Sequence, residues 1–138
     1  MTEQRVLVWL LLEEEGAALL GQRKAEEPPF AGQWVLPGDE MPQAESASET
    51  VGRFGREQLD IRIAGEEFAD TVYLTEGDIE YAVNVFRVVA YEGRPRFRES
   101  GPYAEVRWVN PEEFQREHAY SMPGPLRASL ISTLERSD

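Results

Sequence analysis

Residues 46–59 point to one regular conformation. Ala47, Val51, Phe54 and Leu59 share one face of an α-helix, Ser46 stands where an N-cap belongs, and Glu49 follows three residues later to complete a capping box. Gly52 and Gly55 each cost a helix about 1 kcal/mol relative to alanine. The helix is therefore predicted to depend on tertiary packing, or to carry glycine for close approach of a neighbour.

On either side the chain reads as strands. Residues 6–12 and 17–23 are apolar runs joined by a glycine-containing turn at 13–16, which predicts a hairpin. Pro28 and Pro29 break the pattern, so a surface loop should run to Gly32, before a short strand at 34–36 that Pro37 and Gly38 end. Residues 63–74 and 80–91 predict a second hairpin about the turn at 75–78, and 106–109 a further strand. Helices are expected at 111–115, with proline in the first turn, and at 124–135. Strands, helix, strands and helices in this order predict a mixed α/β fold whose sheet is covered by helices on both faces.

The 138 residues, 41% hydrophobic, suit a single domain over 1–138. The absence of cysteine removes disulfides and thiolate chemistry, and His118 is the only histidine, expected at a helix end or in a loop. The longest apolar run, 6–12, falls far short of the ~20 residues that span a bilayer. Acidic residues near the start do not suit a secretory signal, so a cytoplasmic location is expected. A formal charge of -12 argues against nucleic acid and anionic membranes as partners. It leaves open a small nucleotide held in a local pocket.

The informative motif is Trp34-Val35-Leu36-Pro37-Gly38-Asp39, then Glu45, then the run from Arg53 to Ile61. It resembles the Nudix box, G-x5-E-x7-R-E-U-x-E-E-x-G-U with U a bulky aliphatic residue: Asp39, five residues, Glu45, seven residues and Arg53 reproduce its spacing. The strand end before the box, the late strand at 105–109 and the helix at 111–114 are similar to the family as well. The resemblance implies a Nudix α/β fold, a mixed sheet sandwiched between helices. It also implies pyrophosphate hydrolysis of nucleoside diphosphates linked to another moiety, with magnesium or manganese neutralising charge and activating water.

Against that pattern, Phe54 and Gln58 replace two of three box glutamates, and only Glu57 remains. The two lie four apart, so both are expected on the metal-facing surface, where the ring would take space from metal and water. Gly55 replaces the aliphatic residue and Asp60 the closing glycine, which is expected to alter the loop after Leu59, because aspartate enters the left-handed conformation less readily.

The resemblance assigns Glu45 and Arg53 to a salt bridge bracing the site, and Glu57, the Gly38 carbonyl and Glu105 to the metal. Glu99 is another carboxylate that could compensate. Arg23 and Trp34 are candidates for substrate, with Gln58 as a neutral contact. Arg23 and Lys24 can equally be edge-strand charges, and Phe30, Tyr73 and Tyr81 can stack on a base or fill a core. Three readings stay open: a weak metal-dependent hydrolase, a nucleotide-binding pseudoenzyme, and an interaction scaffold that could be a homodimer.

Overall fold

The computed structural model describes residues 3–98, 100–115 and 121–135, so Glu99 and His118 lie outside the described residues. Two four-stranded sheets form the frame. The first has the order β5-β1-β7-β6, from β1 (Glu3–Leu11), β5 (Gly38–Glu40), β6 (Arg62–Glu76) and β7 (Ile79–Glu92). It is mixed, for β1 runs parallel to β7 and the remaining pairs are antiparallel. The second gathers β2 (Glu13–Glu14), β4 (Trp34–Val35) and β8 (Tyr103–Val109) around β3 (Ala17–Arg23), with every pair antiparallel.

The first predicted hairpin is thereby corrected. Residues 6–12 do not pair along their length with 17–23: β1 belongs to the first sheet, and the hairpin is confined to β2 against β3, with Glu13 facing Ala18 and Glu14 facing Ala17. Glu15 and Gly16 turn the chain with φ of 51° and 81°. The buried run from Val8 to Leu12 crosses between sheets, which suits an uninterrupted apolar segment covered on both faces. Gly38 does not merely end β4, for it begins β5 opposite Trp9.

Helix α1 (Ala47–Gln58) starts as its sequence dictates. Ser46 Oγ accepts from the Glu49 amide at 3.1 Å, and the Glu49 carboxylate accepts from the Ser46 amide at 3.1 Å. Val51, Phe54 and Leu59 are buried, each contributing roughly 1.5–3 kcal/mol, and α1 lies against β1, β5 and β6. At its end Asp60 adopts φ of 57°, while the Ile61 amide donates to the Gly55 carbonyl at 3.0 Å. Aspartate thus keeps the left-handed cap that a glycine would supply, contrary to the expectation of an altered loop. Helices α2 (Pro111–Gln115) and α3 (Gly124–Glu135) complete the fold, with α3 packed on β6. No described helix is long and apolar enough to cross a membrane.

Candidate functional site

The spacing of Glu45 and Arg53 becomes a bifurcated hydrogen bond. Arg53 Nε lies 2.8 Å from one Glu45 oxygen and 3.1 Å from the other, and Thr50 Oγ1 donates to the same carboxylate at 3.0 Å. The Arg53 hydrogen bond holds the Glu45 carboxyl below its ordinary value, against the opposing effect of burial and with help from Thr50. Arg53 Nη1 also stands 3.5 Å from Glu57 and 4.0 Å from Asp39. One guanidinium therefore gathers carboxylates from β5, the following loop and α1.

Phe54 does not face this cluster as a groove wall. It is 2% exposed within the core, which corrects the expectation that its ring stands on a metal-facing surface. Gln58 turns toward Gly101, its Oε1 3.7 Å from where a Cβ on that glycine would stand. Arg98 Nε donates to the Glu57 carbonyl at 2.6 Å, and the Arg96 amide to the Leu59 carbonyl at 2.8 Å. Arg96, Arg98 and Gly101 thus cover the C-terminal end of α1.

Beside the box lies a cavity of about 200 Å³. Its lining includes Arg5, Trp9, Arg23, Phe30, Gly38 and Tyr103. Phe30 is held edge-on to Trp9 with ring centroids 6.0 Å apart, and rests on Tyr81 at 5.4 Å. Arg23 donates to the neutral carbonyls of Glu27 and Pro28, at 3.3 and 3.1 Å, and lies over the Tyr103 ring at 5.8 Å. Its charge meets no carboxylate among the described ion pairs and is available to an anion. Arg5 shares its charge with Glu3 at 3.2 Å and Glu40 at 3.8 Å.

Tyr103 was invisible to the sequence reading and is central to the geometry. Its hydroxyl accepts from the Gly38 amide at 3.0 Å and donates to the Gly38 carbonyl at 3.3 Å. The ring crosses β3 over Gly21, where a Cβ would stand 2.6 Å from Cδ1. Burial pushes the phenol up, with the Gly38 hydrogen bond opposing, so the hydroxyl keeps its proton at neutral pH. The small residue at Gly21 in a strand was the available signal that something packs close there.

The three ligands expected for a metal do not share one wall. Gly38 lines the cavity with its carbonyl engaged by Tyr103. Glu105 lines a separate open hollow with Lys24 and Arg98, and pairs with Arg107 at 2.5 Å. Glu57 lines neither and pairs with Arg53. Among the described residues no group of three or more His, Asp or Glu side chains is placed to hold a metal ion. Magnesium or manganese, which coordinates several oxygens, does not fit this donor set. Trp34, expected at substrate, is instead 5% exposed in the core and lines no wall of the cavity.

The sequence profile of the NUDIX domain matches residues 1–128, and the chain belongs to that family. A search of curated proteins found no match. The fold is similar to that of the MutT protein from Methanosarcina mazei Go1, with a TM-score of 0.83 at 23% identity over 99% of this chain and 96% of that one. The E. coli ORF135 protein gives a TM-score of 0.71 at 25% identity, covering 97% and 88% of the two chains. The NUDIX domain of Shewanella oneidensis NrtR, whose structure is a complex with ADP ribose, gives 0.67 at 19% identity over 99% and 88%.

Proposed function

We propose that the cavity beside the box binds a small phosphate-bearing metabolite of the nucleotide class, and that metal-assisted pyrophosphate hydrolysis is weak or lost. The observation that carries this reading is a retained cavity beside a dispersed ligand set. Arg23, which is in no ion pair among the described residues, presents its guanidinium to a pocket that Trp9, Phe30, Asp39 and Glu40 also line. Of the box positions, Phe54 lies in the core and Gln58 against the covering loop, and the Glu57 carboxylate is shared with Arg53.

Hydrolysis of a diphosphate bridge needs its charge neutralised and its water activated. One exposed glutamate already paired to an arginine supplies little of either. Binding needs less: a guanidinium for phosphate and an aromatic wall for an apolar or planar group. Phe30 also borders a more open hollow of about 520 Å³ lined by Gln33, Tyr73 and Glu76, into which a ligand larger than the cavity can extend.

ADP-ribose, the ligand named in the NrtR domain structure, is a suitable first probe. Calorimetry in EDTA should detect binding of ADP-ribose or of a nucleoside diphosphate, and Arg23→Ala should weaken it by roughly tenfold or more, the loss of a charge-assisted hydrogen bond. Unchanged affinity in that variant would remove the cavity from the account.

A further inference from the structure

We infer that the Tyr103 hydroxyl occupies the position at Gly38 that the family pattern gives to a divalent ion, so that the start of β5 is set by a phenol and is indifferent to metal. This concerns the unliganded scaffold and goes beyond the proposed function, for it holds whether or not the cavity takes a nucleotide.

Gly38 is buried and cannot carry a side chain, since a Cβ there would stand 2.1 Å from the Val8 carbonyl oxygen. Its amide and carbonyl must still find partners, because a buried backbone polar group left unpaired is costly. In the family pattern a cation would take the carbonyl. Here a single hydroxyl serves both groups, accepting at 3.0 Å and donating at 3.3 Å.

The hydroxyl is aimed by packing on several sides. The ring lies over Gly21, meets Phe97 edge-on with centroids 5.3 Å apart at 88°, and is covered by the Arg23 guanidinium. A phenol held in this way adds no charge and leaves no coordination position on the carbonyl's engaged side. The neighbouring carboxylates are occupied correspondingly: Arg53 draws in Asp39, Glu45 and Glu57, so a fixed cation already stands among them.

The test is NMR of the isotope-labelled full chain, titrated with paramagnetic manganese. In the wild type the Gly38 signals should keep their intensity through submillimolar manganese, and EDTA should leave its shifts unmoved. Tyr103→Phe keeps the ring on Gly21 and against Phe97 but removes the hydroxyl. It should shift the Gly38 carbonyl carbon and speed exchange of its amide by roughly tenfold, with Gly21 and Phe97 signals nearly in place. Selective manganese broadening at Gly38 in the wild type would overturn the inference, as would a Tyr103→Phe variant with unchanged Gly38 shift and exchange. Should that variant fail to fold, the wild-type titration alone decides.

Discussion

Arg53 and Glu45, eight residues apart in sequence, are joined by two hydrogen bonds of 2.8 and 3.1 Å from one nitrogen. The contact ties the loop after β5 to the middle of α1. Because the folded-state carboxyl of Glu45 lies below its ordinary 4.5, its contribution to stability is present above that value and is lost as pH falls through the folded-state value. Thermal midpoints measured across pH should therefore decline in acid, and Glu45→Gln should flatten that part of the decline. An equally steep acid limb in the variant would show that other carboxylates govern it.

Phe54 links sequence to packing in a way that blocks simple repair of the box. Because its ring is in the core, Phe54→Glu should destabilise the domain by about 3 kcal/mol or more in urea titration, from the lost apolar burial and a desolvated carboxylate. Gln58→Glu, half-buried at the helix end, should cost about 1 kcal/mol or less. The double change is thus expected to unfold the domain more readily, rather than to restore hydrolysis.

Asp60 carries a smaller strain. At φ of 57° a non-glycine residue gives up roughly 1 kcal/mol, somewhat less for aspartate, whose short polar side chain tolerates this region. Asp60→Gly should raise unfolding stability by about 0.5 kcal/mol; a loss of stability would mean that the aspartate side chain makes a compensating contact.

Close approach at Gly38 leaves less tolerance. A methyl group there meets the backbone of Val8 rather than the end of a flexible side chain, so β5 must shift and both Tyr103 hydrogen bonds with it. Gly38→Ala should cost about 3 kcal/mol. A variant with wild-type stability would contradict the packing described at β5.

Helix α1 was legible because its cap and apolar stripe are local, and Glu45–Arg53 because the spacing of the box fixed it. The exchange between sheets at Leu12 was not legible. A continuous apolar run says that it is buried, and does not say in which sheet. Phe54 satisfied two readings at once, sharing a stripe with Val51 and a face with Gln58; the structure assigns it to the core, where a phenyl ring gains most. Tyr103 had no local pattern to mark it, since its partner Gly38 lies 65 residues away. Trp34 was drawn toward substrate by its place beside the box, whereas its side chain is in the core.

The most direct measurement is release of phosphate or nucleoside monophosphate from nucleoside triphosphates, dinucleoside polyphosphates and nucleotide sugars, first with magnesium and then with manganese. A retained cavity without a working metal site predicts no turnover above that of Glu57→Gln with either metal. Metal-dependent release that Glu57→Gln abolishes would contradict the account and show that this single box glutamate, helped by another carboxylate, still supports hydrolysis.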